Sequence, residues 1–177
     1  HGVYIVDYSN GNTIRENTIT SNQGHGLLIQ DSSGLSLLLN TITDNQNGIR
    51  LSSSSTCNIH GNTVSNNTGQ GIHLLSSTNH NIFSTNTIIN NSIGVTIDSS
   101  KNNTFQRCII STNRGHGIYL SYALLSLEGE NTFINNTITL NNGSGISLYS
   151  SIGNTLHNND ITFNMGEGIK VTSSTNT

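Results

Sequence analysis

The sequence predicts an all-β fold, a parallel β-helix of seven to eight coils with three short strands in each coil. A four-residue motif recurs eight times: a glycine, an apolar residue, any residue and a second apolar residue. The glycines of successive copies are separated by 24, 22, 23, 23, 23, 28 and 23 residues. Apolar and polar residues alternate over short segments, and no segment has the apolar period of a helix. One coil of 22–24 residues cannot bury its own apolar face, so successive coils must stack into a rod.

Each repeat is predicted to contain a Gly-led strand and two shorter strands that precede it, separated by Gly, Asn and Ser turns. The Gly-led strands follow Gly2, Gly26, Gly48, Gly71, Gly94, Gly117, Gly145 and Gly168. The first preceding strand has its apolar centre at Ile14, Leu37, Ile59, Phe83, Phe105, Phe133 and Leu156. The second, which reads Asn-Thr-Ile-Thr in its purest form, is centred on Ile19, Ile42, Val64, Ile88, Ile110, Ile138 and Ile161. We expect the three consecutive phenylalanines to stack in the interior.

Asparagine, serine and threonine make up 76 of the 177 residues, and the asparagines fall into three rows at the corners of the coils. One row is Asn22, Asn45, Asn67, Asn91, Asn113, Asn141 and Asn164. The others are Asn17, Asn40, Asn62, Asn86, Cys108, Asn136 and Asn159, and Asn12, Leu35, Cys57, Asn81, Asn103, Asn131 and Asn154. We expect these corner asparagines to adopt left-handed turn geometry and to hydrogen-bond to one another along the axis.

Charge and hydropathy exclude several classes of protein. Six Lys and Arg against nine Asp and Glu give a net charge of −3, which is unlike a nucleic-acid binder. The longest apolar runs are far shorter than a transmembrane segment. Cys57 and Cys108 lie two coils apart, about 10 Å along the axis at the usual strand spacing, which is too far for a disulfide. We therefore predict two free, buried thiols.

The pattern N-x-I-x-x-N-x-I-x-x-N…G-I-x-L-x-x-S-x-x-N resembles the right-handed parallel β-helix repeat proteins over the whole chain. That group includes NosD-like periplasmic proteins and carbohydrate-binding and sugar-hydrolase modules. The resemblance implies a right-handed coil and an extracellular, cell-surface or periplasmic location. It is weak for function, because the matched residues are those that build the coil.

The chain is predicted to form a single domain over residues 1–177, as part of a longer chain or of a stacked assembly. This expectation depends on the absence of a capping helix at either end, since solenoids are normally capped. Copies of the same protein are therefore one expected partner. If the protein is secreted, permitted glycosylation sites are Asn66, Asn90, Asn102, Asn135 and Asn142.

Outward positions of the Gly-led strands supply the candidate binding residues. Tyr119, Tyr149, Asp98 and Lys101 are expected to approach one another, with His116 and Arg114 at the rim. Tyrosine offers a sugar ring both an apolar face and a hydroxyl group, so this cluster is a candidate contact for polysaccharide or a partner. The five-residue insertion within 121–130, which contains Tyr122, is a second candidate contact surface.

No catalytic set is identified from the sequence. The seven histidines are expected to be solvated surface residues with no pair in adjacent coils, so no metal cluster is predicted. Neither Gly-His-Gly tripeptide is accompanied by the cluster of acidic residues that glycoside hydrolysis needs. Asp7 and Asp31 share a row in adjacent coils and form a weak candidate for a Ca²⁺ site.

These observations favour a secreted or cell-surface module with a non-catalytic structural or binding role, in contact with polysaccharide or with copies of itself. The alternative is a fragment of a polysaccharide lyase, epimerase or glycosidase. A minor alternative is an ice-binding protein, because outward Thr-x-Thr pairs recur on the Asn-Thr-Ile-Thr strands. That array is broken at Ile89, Ile109 and Asp160, and threonine is in any case a good strand former.

Overall fold

The computed structural model describes residues 1–121 and 131–174, and this part of the chain contains 22 strands, numbered β1 to β22 in chain order. They form three parallel sheets of eight, seven and seven strands, and each coil adds one strand to each sheet. Within the described ranges no residue is helical. The predicted all-β class, the parallel β-helix and the three strands per coil are confirmed.

The Gly-led strands form the eight-stranded sheet, which comprises β1 (Val3–Ile5), β4 (Leu27–Gln30), β7 (Ile49–Ser52), β10 (Gln70–Leu75), β13 (Ile93–Asp98), β16 (Ile118–Ser121), β19 (Ile146–Tyr149) and β22 (Ile169–Thr172). A seven-stranded sheet comprises β2 (Thr13–Arg15), β5 (Ser36–Leu38), β8 (Asn58–His60), β11 (Ile82–Ser84), β14 (Thr104–Gln106), β17 (Thr132–Ile134) and β20 (Thr155–His157). The other comprises β3 (Thr18–Thr20), β6 (Thr41–Thr43), β9 (Thr63–Ser65), β12 (Thr87–Ile89), β15 (Ile109–Ser111), β18 (Thr137–Thr139) and β21 (Asp160–Thr162).

The core is a single apolar column inside the three sheets. Phe83, Phe105 and Phe133 are fully buried in successive coils. The rings of Phe83 and Phe105 stack at 4.3 Å and 2°, and those of Phe105 and Phe133 at 5.5 Å and 17°. Burying each such side chain contributes roughly 1.5–3 kcal/mol, so the predicted phenylalanine stack is confirmed as a major part of the core.

The corner asparagines form hydrogen-bonded ladders parallel to the rod axis. In one ladder the backbone N–H and Nδ2 of Asn67 both donate to Oδ1 of Asn91, at 3.1 and 2.9 Å. Nδ2 of Asn91 donates in turn to Oδ1 of Asn113 at 3.3 Å and to the carbonyl of Val64 at 3.1 Å. Because the carboxamides find their partners within the protein, fully buried amides such as those of Asn67 and Asn91 are tolerated at the corners.

The prediction that these asparagines adopt left-handed geometry was wrong, because the described residue before a ladder position adopts it instead. Leu39 has φ of 56° before Asn40, and Phe163 has φ of 54° before Asn164. Left-handed geometry costs roughly 1–2 kcal/mol for such residues. The ladder and the strands on both sides fix the turn strongly enough to hold even leucine and phenylalanine there. Four of the candidate glycosylation asparagines occupy this preceding position, namely Asn66, Asn90, Asn102 and Asn135.

The two cysteines are free and buried, as predicted. Cys108 interrupts a ladder, and its Sγ lies 4.0 Å from Nδ2 of Asn86. Burial raises the pKa of both thiols, so each behaves as a small apolar filler.

Candidate functional site on the eight-stranded sheet

The outer face of the eight-stranded sheet has the register that the sequence predicts. Parallel pairing aligns one outward row along the axis, comprising Tyr4, Leu28, Arg50, His73, Thr96, Tyr119, Ser147 and Lys170. In the neighbouring row Ser121 is paired with Asp98 on one side and with Tyr149 on the other. Successive coils therefore present different polar and aromatic side chains on one face.

A polar strip follows this face over five successive coils, formed by His25, Arg50, His73, Asp98 and Ser121. Nη1 of Arg50 lies 3.2 Å from Nε2 of His25, which precedes β4. Nε2 of His73 lies 2.9 Å from Oδ2 of Asp98, and the Ser121 hydroxyl donates to the other carboxylate oxygen. At a strand spacing of about 4.8 Å, five consecutive coils give the polar strip a length of about 19 Å.

Asp98 is the acidic centre of the polar strip. Its hydrogen bond from His73 lowers the pKa of the carboxyl group, the Ser121 hydroxyl lowers it further, and partial burial opposes both. Asp98 is thus ionised at neutral pH and orients the imidazole of His73. Ser121 donates to the carboxylate rather than to the imidazole, so the order of contacts differs from a nucleophilic Ser-His-Asp triad.

His25 is buried, with 6% of its surface exposed, so its predicted assignment to the solvated surface was wrong. Its Nδ1 lies 3.2 Å from Nδ2 of Asn47, and its ring stacks on that of His1 at 4.9 Å and 21°. Burial lowers the pKa of His25, and the charges of Arg50 and His73 lower it further. The imidazole is therefore neutral at pH 7.

The stack of His1 on His25 also corrects the prediction that no two histidines share a row in adjacent coils. The residue before the glycine of each Gly-led strand forms a row of its own, and both histidines belong to it. That row was visible in the sequence. His73 is likewise only 15% exposed, because its ring lies against Asp98 on the sheet surface.

A second polar group lies toward the C-terminal end of the same face. The rings of His116 and Tyr119 stack at 5.7 Å and 15°, and the Ser144 backbone N–H donates to Nδ1 of His116 at 2.9 Å. Burial lowers the pKa of His116, and the charge of Lys170 lowers it further. The predicted proximity of His116 to Tyr119 is therefore present in the structure.

Two other predicted candidates are Arg114 and Lys101. Nη2 of Arg114 donates to the carbonyls of Asn67 and Thr68, both at 3.1 Å, and so braces the turn two coils away. Lys101 follows the end of β13, where its backbone N–H donates to Oδ1 of Asn79 at 2.8 Å. Tyr122 and the remainder of the insertion, residues 122–130, lie outside the described residues.

The remaining candidates are Tyr149, Asp7 and Asp31. Tyr149 is 38% exposed beside the polar strip. Asp7 and Asp31 occupy left-handed turns after β1 and β4, with φ of 54° and 50°. Within residues 1–121 and 131–174, no three His, Cys, Asp or Glu side chains are grouped to hold a metal ion. No helix in the same ranges has the length and apolar character needed to cross a membrane.

The chain belongs to the family of right-handed β-helix region proteins, whose sequence profile matches residues 1–88 and 40–177. This match confirms the predicted resemblance to right-handed parallel β-helix repeat proteins. No curated protein sequence matches the chain.

Several solved structures share the fold. The periplasmic alginate epimerase AlgG is 17% identical with a TM-score of 0.71, over 98% of this chain and 42% of that chain. The A-module of mannuronan C-5 epimerase AlgE6 from Azotobacter vinelandii is 18% identical with a TM-score of 0.67, over 98% and 54%. Tailspike protein 2 of bacteriophage CBA120, in its enzymatically active domain, is 11% identical with a TM-score of 0.53, over 98% and 37%. At these identities the likeness shows the fold alone, and the chain spans less than two thirds of each of these proteins.

Proposed function

We propose that the outer face of the eight-stranded sheet binds a linear polysaccharide along the rod axis, in an extracellular, cell-surface or periplasmic protein. The observation that carries this proposal is the polar strip, which lies between the exposed tyrosines Tyr4 and Tyr149. Parallel coils repeat every 4.8 Å or so, so an extended polymer meets polar and aromatic groups at regular intervals. Tyrosine rings suit this role because they stack on sugars and also hydrogen-bond.

The named activities of the structural neighbours support the same substrate class. Two are epimerases whose names specify alginate or mannuronan, and both share this fold over nearly the whole chain. The location proposed here agrees with the word periplasmic in the name of AlgG. The polar strip supplies the independent support, because it depends on this chain's own residues.

A second candidate function is acid–base catalysis on the bound polymer, favoured by the contact between His73 and Asp98. A carboxylate that orients an imidazole at 2.9 Å is an arrangement that general-base catalysis uses. We favour binding over catalysis because the polar strip contains one carboxylate, whereas glycoside hydrolysis normally requires two. Incubation of the protein with acidic polysaccharides, followed by NMR of the sugar protons, distinguishes binding alone from catalysis. Turnover that is lost in His73→Ala would establish catalysis.

Substitution of the flanking tyrosines tests the binding role. Tyr4→Ala and Tyr149→Ala should each weaken polysaccharide binding about threefold to tenfold, because stacking by one aromatic ring contributes about 0.5–1.5 kcal/mol. Tyr8→Ala is the matched control, since Tyr8 is 81% exposed but lies in a turn after β1. Isothermal titration against a panel of linear polysaccharides gives the affinities. Equal losses in all three variants, or no binding to any polymer by the wild type, would overturn the proposal.

A further inference from the structure

We infer that Arg50 and His25 form a recognition site for a sugar carboxylate, so that the polymer bound on this face is a polyuronate. The inference rests on the proposed polysaccharide binding and adds the substrate class. Its basis is an excess of hydrogen-bond donors at the N-terminal end of the polar strip.

The orientation of His25 follows from Asn47. Oδ1 of Asn47 accepts a hydrogen bond from the Gln70 backbone N–H at 2.8 Å, so its Nδ2 is the atom that faces Nδ1 of His25. Nδ2 is a donor, and Nδ1 must therefore accept. A neutral imidazole has a single N–H, which this contact places on Nε2. That N–H points toward Nη1 of Arg50 at 3.2 Å, and Nη1 is itself a donor.

Nε2–H of His25 and Nη1 of Arg50 thus face each other as two donors, and neither finds a protein acceptor at this contact among the described residues. A third donor lies beside them, since Nε of Arg50 is buried and makes no hydrogen bond in the described part of the protein. A buried donor without an acceptor destabilises the folded protein. A ligand that brings acceptor oxygens to this point would supply the acceptors that the guanidinium and the imidazole lack.

The charge around Arg50 selects an anion. Among the described residues the ion pairs join Arg15 to Glu16, His73 to Asp98 and Lys170 to Glu167, so no carboxylate pairs with Arg50. Its immediate neighbour His25 is neutral and gives no compensation. A carboxylate matches the planar fork of a guanidinium and accepts two or more hydrogen bonds at once. A neutral sugar would leave the positive charge unpaired.

The apolar and aromatic residues next to Arg50 offer a surface on which the ring of the same sugar would lie. Leu28 underlies the site with 9% of its surface exposed, and it is paired in the sheet with Tyr4, which is 55% exposed. The rings of Tyr4 and His1 lie 5.4 Å apart. A hexuronate could therefore stack on Tyr4 while its carboxylate reaches Arg50 in the coil after Leu28.

The test compares a polyuronate with the same polymer after chemical reduction of its carboxyl groups to alcohols, by isothermal titration. The wild type should bind the polyuronate about tenfold to hundredfold more tightly, as charge-assisted hydrogen bonds imply. Arg50→Gln should abolish that preference, whereas Arg50→Lys should keep part of it because the charge remains. Arg15→Gln is the matched control, since Arg15 is exposed and already paired with Glu16. It should bind like the wild type.

A second readout follows His25 directly by NMR. The imidazole carbon proton of His25 should shift on addition of the polyuronate but not of the reduced polymer. Equal affinity for the two polymers would overturn the carboxylate assignment while leaving polysaccharide binding intact. A sulfated polymer that binds as tightly, and is equally sensitive to Arg50→Gln, would also overturn it in favour of a general anion site. Failure to bind any polymer would overturn the proposed function itself.

Discussion

The asparagine ladders and the polar strip are both rows of polar side chains parallel to the rod axis, but they differ in how their hydrogen bonds are satisfied. In the ladder through Asn91, one residue type recurs at every coil, and each carboxamide both donates and accepts. In the polar strip the residue type changes at each coil, and donors at Arg50 lack acceptors among the described residues. A repeated, satisfied row stabilises the rod, whereas a varied row with excess donors is suited to an external ligand.

Breaking a ladder should give the largest effect on stability. Asn91→Ala removes the oxygen that accepts from both the backbone N–H and Nδ2 of Asn67, at a fully buried position. With two buried donors affected, the free energy of unfolding should fall by about 2–5 kcal/mol, measured by urea denaturation. Asn58→Ala is the matched control, because Asn58 is an exposed strand residue. It should change stability by less than about 0.5 kcal/mol, and equal losses in the two variants would contradict the distinction.

The coil architecture was predictable because it depends on repetition. Stacked coils require the same apolar and asparagine positions in every repeat, so their register can be read from residue spacing alone. The left-handed residue of each turn escaped prediction for a physical reason. Backbone pairing along the whole rod outweighs local preference, so Leu39 and Phe163 adopt a conformation that their side chains disfavour.

The candidate site was only partly predictable. The register placed Arg50 and His73 in one row and Asp98 in the next. It did not show that the Arg50 side chain turns toward His25 while His73 turns toward Asp98. The directions of these two side chains depend on their rotamers and on competition among neighbouring polar groups for hydrogen bonds. The pairing of His1 with His25 could have been found, since both precede the glycine of a Gly-led strand.

Restoring the interrupted ladder should give a smaller effect of opposite sign. Cys108→Asn would place a carboxamide where Sγ now lies 4.0 Å from Nδ2 of Asn86. The new Oδ1 would accept from Asn86, and the new Nδ2 could donate to Asn136, so stability should rise by about 0.5–1.5 kcal/mol. Cys108→Ala, which fills the corner without hydrogen bonds, is the control in the same urea titration. If the two variants were equally stable, the ladder would contribute little at this corner.

The pH dependence of stability should give the smallest effect. It should distinguish the polar strip from the asparagine ladders, because His25 titrates and asparagine does not. Burial first, and then the charges of Arg50 and His73, lower the pKa of His25 from its usual 6.5. Below that pH the unfolded chain takes up a proton that the folded protein resists. Stability should therefore be highest above pH 6.5 and should fall as the pH is lowered toward the folded pKa.

The measurement is the difference in unfolding free energy between about pH 7.5 and about pH 5.5, for the wild type and for His25→Gln. The variant should lose less stability on acidification, but not zero, because burial and the charge of Lys170 also lower the pKa of His116. The further variant His116→Gln should reduce the remaining loss. Asp98 contributes only at lower pH, since its hydrogen bond from His73 lowers a pKa that is ordinarily 3.8.

An unchanged acid-induced loss of stability in His25→Gln would mean that this end of the polar strip accommodates a protonated imidazole. That result would contradict the assignment of a carboxylate to Arg50, because a proton on Nδ1 as well would disrupt the contact with Asn47.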